Sequence, residues 1–184
     1  MKQMDCCLTE AAVEAPVNVA EVLASDPENA PAPRDDPRHA CISCKGSSRP
    51  VTRKTMLLML KPESFGVVGE SEYRFCSAPD CRVVYFTEDG GATFTTGDMR
   101  VRVGLKEKAD PIPLCYCFGF DESDARAEIA ATGRCTIPQR ISVLIKQGVC
   151  ACPARNPSGA CCLGEVNRAV ERLLAEAAPE MQPA

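Results

Sequence analysis

Cysteine is the residue type whose number and spacing point to chemistry in this chain. Thirteen cysteines stand among 184 residues, beside a single histidine. Clustered cysteines serve either as a disulfide framework or as metal ligands, and disulfides need an oxidising compartment. Asp5 and Glu10 interrupt any apolar run at the N-terminus, so no secretory signal is visible. We therefore expect a cytoplasmic protein whose reduced thiols bind metal.

The first group of cysteines lies in the N-terminal half of the chain and comprises Cys41, Cys44, Cys76 and Cys81. Zinc takes four tetrahedral ligands and binds thiolates readily. Because cysteines fill all four positions, no position is left for water, and we expect a structural zinc site. His39 is an alternative ligand, although a histidine in a polar segment is more often solvated.

The second group lies in the C-terminal half and comprises Cys115, Cys117, Cys150, Cys152, Cys161 and Cys162. Cysteine thiolates hold iron–sulfur clusters, and helix N-termini favour anionic groups. Cys117 precedes a helix predicted from Asp121, and Cys162 precedes one predicted near Gly164. This placement suits an anionic [2Fe–2S] cluster. Zinc would accept the same cysteines, so spacing alone leaves both metals open.

The adjacent pair Cys6 and Cys7 lies in an acidic segment, residues 1–40. This segment holds three Lys/Arg and eight Asp/Glu, a net charge of 3 − 8 = −5, and five prolines. Such a composition predicts a flexible, disordered arm. Vicinal thiols there suit capture of a soft ion such as copper or mercury, and the alternative is an accidental exposed pair. The rest of the chain is nearly neutral, which argues against nucleic-acid binding.

Hydrophobic patterning and turn residues predict the secondary structure. Strands are expected at 49–60, 73–76 and 82–86, with a turn at 88–91, whereas 95–104 fits either a short helix or a strand. Helices are expected at 121–133, 136–148 and 164–178. The longest strictly apolar run, Met56 to Leu60, is too short for membrane insertion.

Four segments carry a resemblance to a known family: FCSAPDCRVVYF (75–86), RVGLKEK (102–108), CYCFGF (115–120) and GVCACPARNPSGACCLGEV (148–166). They resemble the N-terminal region of the CopZ-type copper chaperones, which carry zinc and a [2Fe–2S] cluster. The stretch from Cys76 to Cys81 is also similar to treble-clef knuckles. Residues from 115 onward resemble the [2Fe–2S] domain of bacterioferritin-associated ferredoxin.

The resemblance implies an α+β fold with a small treble-clef-like zinc β domain (41–110), a three-helix [2Fe–2S] domain (111–178) and a tail (179–184). It implies zinc on Cys41, Cys44, Cys76 and Cys81, and the cluster on Cys115, Cys117, Cys162 and one of Cys150 and Cys152. Counting along the second helix favours Cys150, with Cys152 as a close rival. Cys161 is the expected spare.

The resemblance further implies a metallochaperone whose redox-active cluster serves a soft metal ion, copper or mercury, and whose partner is a metal transporter or reductase. The family also carries a copper domain with an MxCxxC loop, a motif not found in these 184 residues. We therefore expect Cys6 and Cys7 to hold the cargo. The alternatives are an electron-transfer or cluster-carrying adaptor without cargo, and a scaffold that uses its metals only to fold. No Ser/His/Asp set is present, so no enzyme is expected, and the oligomeric state stays open.

Overall fold

The computed structural model describes residues 39–178, which form a mixed α/β structure with a small antiparallel sheet. This agrees with the predicted α+β class. The expected arm, with Cys6 and Cys7, lies outside the described residues except for its last two positions, and the expected tail lies wholly outside them. None of the helices at 39–178 is long and apolar enough to cross a membrane.

Four strands form the main sheet in the order β1-β2-β3-β4, and each neighbouring pair is antiparallel. Their bounds are β1 Ser48–Val51, β2 Tyr73–Cys76, β3 Val83–Thr87 and β4 Thr93–Thr95. Ser48 pairs with Cys76 and Phe75 pairs with Tyr85. All five residues of β3 are buried, so the sheet is covered on both faces at its centre.

The prediction of a strand over 49–60 is wrong for most of its length. The strand ends at Val51, and helix α1 occupies Arg53–Met59. The hydroxyl of Thr52 accepts a hydrogen bond of 3.1 Å from the amide of Thr55, which caps the helix N-terminus. Methionine and leucine are good helix formers. Here the cap and the burial of Met56 prevail over the β-compatible composition.

The first hydrophobic core lies between α1 and the sheet. Its buried members include Met56, Leu60, Tyr73, Phe75, Val84, Tyr85, Phe94 and Met99. Three short 3₁₀ helices border it, at Pro62–Val67, Thr96–Asp98 and Gly104–Lys106. The undecided stretch 95–104 therefore contains one short helical turn and the start of another. In the first of these, the Asp98 carboxylate accepts hydrogen bonds from the amide and the hydroxyl of Thr95.

A two-stranded hairpin and four helices follow: β5 Pro113–Cys115, β6 Phe120–Asp121, α2 Glu122–Thr132, α3 Ile137–Lys146, α4 Cys152–Arg155 and α5 Leu163–Ala177. Helices α2, α3 and α5 begin and end within two residues of the ranges expected from the sequence. Asp121 caps α2 in a capping box, and Gly133, at φ +70°, ends it. Helix α4 is a short element that the sequence did not reveal.

The second core is formed by α2, α3 and α5 and includes Ile129, Ile137, Ile141, Val166, Val170 and Leu173. A loop ties this part to the first one. The hydroxyl of Thr55 donates to the carbonyl of Pro153 at 2.7 Å, and the hydroxyl of Tyr85 donates to the carbonyl of Pro157 at 2.7 Å. Residues 153–160, which separate Cys152 from Cys161, are therefore packed against α1 and the sheet.

Candidate metal centres

The sulfur atoms of Cys41, Cys44, Cys76 and Cys81 all lie within 4.8 Å of one another. Cys44 Sγ and Cys76 Sγ are 3.7 Å apart. Four thiolates placed tetrahedrally at about 2.3 Å from zinc are separated by about 3.8 Å, so these sulfurs fit a single zinc ion. Cys44 is exposed and the other three are buried.

A tight turn holds the first two of these sulfurs. The amide of Lys45 donates to the carbonyl of Cys41 at 2.9 Å, and the amide of Cys41 donates to the carbonyl of Gly46 at 2.8 Å. Lys45 has a φ of +61°, and the amide of Gly46 points at Cys44 Sγ, 3.4 Å away. A Cβ at position 46 would lie 2.9 Å from Ala78 Cβ, so glycine lets the two halves of the site approach.

The second pair of sulfurs follows from strand pairing. Cys76 ends β2 opposite Ser48, so the sheet brings it beside the first turn. Lys106 is only 9% exposed, and its ammonium donates to the carbonyls of Ala78 at 2.8 Å and Cys81 at 3.1 Å. Burial raises the pKa of the Cys76 thiol, against the lowering effects of a backbone hydrogen bond at Ala78 and of the Lys106 charge. A bound cation is what such buried sulfurs need to remain thiolates.

His39 does not belong to this group of four. Its Nδ1 lies 2.5 Å from a carboxylate oxygen of Glu88, and its carbonyl accepts a hydrogen bond from the Ser48 hydroxyl. The imidazole is therefore placed at the end of the sheet, against an acidic side chain.

The second group of cysteines begins at the β5–β6 hairpin. Cys115 ends β5, and its carbonyl accepts a 2.9 Å hydrogen bond from the amide of Gly119, which has a φ of +72°. Between the two cysteines of this turn, the Tyr116 hydroxyl accepts from the amide of Gly104 at 2.7 Å and donates to the carbonyl of Arg102 at 3.1 Å. The turn that carries Cys115 and Cys117 is thereby fixed to the segment that precedes it.

The remaining sulfurs come from the loop between α3 and α5. Cys152 is the first residue of α4, and its Sγ lies 3.7 Å from Cys117 Sγ. The amide of Ala151 also points at Cys117 Sγ, 3.3 Å away. Cys162 is the N-cap of α5, and its carbonyl accepts from the amides of Glu165 and Val166 at 2.9 Å each.

Contacts between thiols connect these sulfurs in a chain that runs from Cys115 through Cys162 and Cys152 to Cys117. Hydrogen bonds from Cys115 and then Cys152 lower the pKa of Cys162 to about 4, and the contact with Cys162 raises the pKa of Cys115. The contact with Cys117 is the main cause that raises the pKa of Cys152. Within residues 39–178 only the zinc group contains three or more ligand atoms that are all mutually within 4.8 Å. The second group is therefore spread over more space than one ion requires.

Two other thiols of the second group are Cys150 and Cys161. Cys150 is half-buried in the loop after α3, and burial is the main cause that raises its pKa. Cys161 is exposed, and its contact with Cys152 lowers its pKa to about 6. Cys135, which the sequence left unassigned, is buried in the second core with its Sγ 3.8 Å from a Glu128 carboxylate oxygen. In the sequence, Cys135 directly precedes Thr136, the N-cap of α3.

Comparisons with known proteins agree on one region. A family described as a zinc binding domain of the CopZ type matches residues 38–100. The copper chaperone CopZ of Archaeoglobus fulgidus is 31% identical over 99 residues, which are 54% of this chain and 46% of that protein. The chain thus spans about half the length of this curated relative. The X-ray structure of the N-terminal domain of A. fulgidus CopZ superposes with a TM-score of 0.60 at 28% identity, and the match covers 70% of this chain and 95% of that domain.

The chain therefore contains a CopZ-type zinc-binding region, and the four mutually close cysteines fall inside the matched residues 38–100. The three matches support the predicted CopZ-like region, and the family match supports zinc binding within it. They give no assignment for the sulfurs from Cys115 onward.

Proposed function

We propose that this chain is a non-enzymatic soft-metal chaperone that carries one structural zinc and one redox-active [2Fe–2S] cluster. The proposed zinc ligands are Cys41, Cys44, Cys76 and Cys81, and the proposed cluster ligands are Cys115, Cys117, Cys152 and Cys162. The observation that carries the proposal is the contact network of the second group. Cys117 lies beside Cys152 and Cys115 lies beside Cys162, and Cys152 also contacts Cys162 and Cys161.

The extended arrangement of these sulfurs favours a binuclear centre over a second zinc. In a [2Fe–2S] cluster each iron takes two cysteine thiolates. The 3.7 Å between Cys117 Sγ and Cys152 Sγ is the spacing of two sulfurs on one tetrahedral metal. Cys115 and Cys162 form the other pair. A single ion would need all four sulfurs mutually close, as they are in the zinc group.

Helix ends supply the charge that an anionic cluster requires. Cys162 is the N-cap of α5, a helix of 15 residues, so its sulfur lies at the positive end of the helix dipole. The amide of Ala151 provides a further donor toward Cys117. A thiolate-bound cluster is stabilised by both interactions, because each places positive charge beside sulfur.

Cys152 is a better third ligand than Cys150. Cys152 is 6% exposed and lies beside Cys117, whereas Cys150 is half-buried at the edge of the group. Exposed Cys161 is the spare thiol in this assignment. The proposal thus assigns Cys152 as the third ligand, whereas counting along the sequence favoured Cys150.

The zinc site has a supporting role in this proposal. Four thiolates close the coordination sphere, and such sites contribute to folding and not to catalysis. The division into a treble-clef-like zinc domain (41–110) and a three-helix cluster domain (111–178) belongs to the proposal too. The proposal places these thiolates in a reducing compartment such as the cytoplasm, where thiols stay available as ligands.

Two observations support a cargo role: the name of the CopZ relative, and two thiols that neither proposed metal centre uses. The relative that matches half of this chain is named a copper chaperone. Thiolates select soft ions, and Cys6 and Cys7 offer an adjacent pair in the sequence. In the proposed reaction the reduced cluster gives one electron to Cu(II), which becomes Cu(I), and a one-electron donor protein then reduces the cluster again. A metal transporter or reductase is the partner that this role requires.

An electron-transfer adaptor without cargo is the second candidate. The Tyr116 hydroxyl holds the turn of Cys115 and Cys117 through Gly104 and Arg102, and this candidate requires no cargo thiols. The two candidates differ in one measurable property. The chaperone binds Cu(I) or Hg(II) through Cys6 and Cys7, and the adaptor shows the same metal stoichiometry after Cys6→Ser and Cys7→Ser.

Anaerobic purification with iron, sulfide and zinc analysis tests the metal content, followed by electron paramagnetic resonance after dithionite reduction. We expect two irons, two sulfides and one zinc per chain. Cys152→Ser should lose the cluster and keep zinc, whereas Cys150→Ser should keep both. A colourless, iron-free protein that is fully folded would refute the cluster, and loss of iron only in Cys150→Ser would reverse the choice of third ligand.

A further inference from the structure

Charge is distributed unevenly along this chain, and the cluster-bearing segment is its basic part. Residues 129–164 contain four basic residues and no Asp or Glu, namely Arg134, Arg140, Lys146 and Arg155. The whole chain has a net charge of −4. The same segment contributes two of the proposed cluster ligands, Cys152 and Cys162, so these cations and the cluster share one region of the fold.

Two of these cations contact residues at or near Cys117, and Lys146 lies on the same helix as one of them. Arg140 and Lys146 lie on the exposed face of α3 together with Val143, which is 53% exposed. The guanidinium of Arg140 lies 4.7 Å from the ring centre of Phe120, three residues after Cys117. On this side, Arg140 borders the segment that follows the turn of Cys115 and Cys117.

Arg155 reaches the same turn from the other side. Its Nη1 lies 3.5 Å from the carbonyl of Cys117, and its side chain is exposed. Val149, 43% exposed, directly precedes Cys150. We call this surface the basic face, defined by Arg140, Val143, Lys146, Val149 and Arg155.

Nearby carboxylates offset only part of the charge of the basic face, since hydrogen bonds from Thr136 and the charge of Arg140 lower the pKa of Glu128. Asp121 accepts hydrogen bonds from the Ser123 hydroxyl and the Asp124 amide, and Glu128 accepts them from the amide and hydroxyl of Thr136. Within residues 39–178, no salt bridge involves the three cations of the basic face. These cations are therefore available to an acidic partner.

We propose that the N-terminal segment, residues 1–38, docks on the basic face and brings Cys6 and Cys7 beside the cluster. This inference rests on the proposed function, since the cluster defines the destination. Residues 1–38 carry three Lys/Arg and eight Asp/Glu, a net charge of 3 − 8 = −5. The negative charge of this segment is opposite to the charge of the basic face. Residues 1–38 are therefore the proposed occupant of that face.

The connection to the fold permits this docking. Residues 8–38 and their junctions separate Cys7 from His39, and a chain of that length reaches at most roughly 105–115 Å. His39 contacts Ser48 at the start of β1, and the next residue, Arg49, lies 3.8 Å from Glu165 in the first turn of α5. The segment thus enters the fold near the helix that Cys162 caps. A tethered ligand binds at an effective concentration near millimolar, so weak ion pairs suffice.

Carbodiimide cross-linking of the full-length, cluster-loaded protein tests this inference. The reagent joins carboxylates to lysines in contact, and Lys146 is the lysine of the basic face. At low salt we expect mass spectrometry to find Lys146 linked to acidic residues of 1–38. The link should disappear at 0.5 M salt, where exposed charges are screened. Links spread equally over Lys54, Lys61 and Lys108 would overturn the proposal.

A thiol-labelling measurement provides a second readout that does not depend on lysine chemistry. Docking should slow alkylation of Cys6 and Cys7 by about threefold or more, the lower limit for three exposed ion pairs. The triple change Arg140→Glu, Lys146→Glu and Arg155→Glu should abolish this protection. A charge-matched control, Arg82→Glu, Lys108→Glu and Arg168→Glu, should keep it. Equal labelling rates in all three proteins would refute docking.

Two further measurements separate this inference from its alternatives. A mixture of isotopically labelled and unlabelled protein reports whether each cross-link joins one chain or two, and mixed links would replace the proposed occupant by a second copy. Iron content is measured in every variant. A normal iron content with unprotected Cys6 and Cys7 would overturn the docking alone, whereas iron-free wild-type protein would overturn the proposed function.

Discussion

The hydroxyl of Tyr85, at the centre of the sheet, donates a 2.7 Å hydrogen bond to the carbonyl of Pro157, in the loop that carries the proposed cluster ligands. Tyr85 is fully buried, and burial raises the pKa of its phenol well above the ordinary value. The phenol therefore stays protonated and keeps donating. This bond ties the position of Cys152 and Cys162 to the sheet that ends at Cys76, a proposed zinc ligand.

Tyr85→Phe should release this loop. Removal of the hydroxyl leaves a buried carbonyl without its donor, which costs about 1–3 kcal/mol. We expect a lower urea midpoint and faster loss of the visible absorption of the cluster. Tyr73→Phe is the matched control, because the Tyr73 hydroxyl accepts from the amide of Gly69 at 2.9 Å, away from the loop. Equal cluster lifetimes in the two variants would argue against a role of the Tyr85–Pro157 hydrogen bond in holding the cluster ligands.

Lys106→Met should weaken the zinc site. Lys106 holds the carbonyls of Ala78 and Cys81 and places a positive charge near the thiolates. Outer contacts of this kind change metal affinity by about 10–100-fold. Competition with a chromophoric chelator measures the affinity. Lys108→Met, which removes an exposed ammonium paired with Asp80, should leave the zinc affinity unchanged.

Gly104→Ala should displace the strand that ends at Cys115. A Cβ at position 104 would lie 1.9 Å from the carbonyl oxygen of Pro113, which is main chain and cannot rotate away. Overpacking of this kind costs about 1–3 kcal/mol or more. We expect a reduced iron content together with a lower melting temperature. Gly66→Ala is the control, because nothing lies within 4 Å of a Cβ at that position.

The zinc-loaded and metal-free proteins should respond oppositely to pH. Burial raises the pKa of the Cys76 and Cys81 thiols above the ordinary value of 9.0, so zinc must displace at least these two protons near pH 7. Zinc affinity should then rise about 100-fold per pH unit. Metal-free protein should instead lose stability as the pH rises above 9, since raised thiol pKa values stabilise only the protonated state.

Calorimetric titration of zinc in two buffers of different ionisation enthalpy counts the released protons. Urea unfolding of metal-free protein between pH 7 and pH 10 measures the second effect. A pH-independent zinc affinity would contradict the assigned protonation of Cys76 and Cys81.

The sequence predicts the elements whose determinants are local. Asp121 and Gly133 mark the ends of α2 because a cap and a left-handed glycine act within one turn. The strand Tyr73–Cys76 is also found where its alternating pattern indicates. At 49–60 the local signals conflict, and the cap at Thr52 decides for a helix only once Met56 has a core to enter.

The course of the cluster loop could not be predicted in this way. The bond from Thr55 to Pro153 joins residues 98 positions apart, and the bond from Tyr85 to Pro157 joins residues 72 apart. Such long-range contacts decide whether Cys150 or Cys152 faces Cys117. A residue count along the preceding helix cannot reveal them. The four zinc cysteines were easier to group, because two short turns and one strand pairing bring them together.

Cys44 differs from the other zinc ligands in facing solvent. Ligand substitution at the zinc ion must begin with the most accessible sulfur, so an incoming thiophilic ion attacks there first. The rate at which bound zinc is lost should thus depend mainly on the Cys44 sulfur. An excess of mercury or silver ions would therefore threaten the fold itself, because displacement of zinc would begin at the exposed Cys44 sulfur.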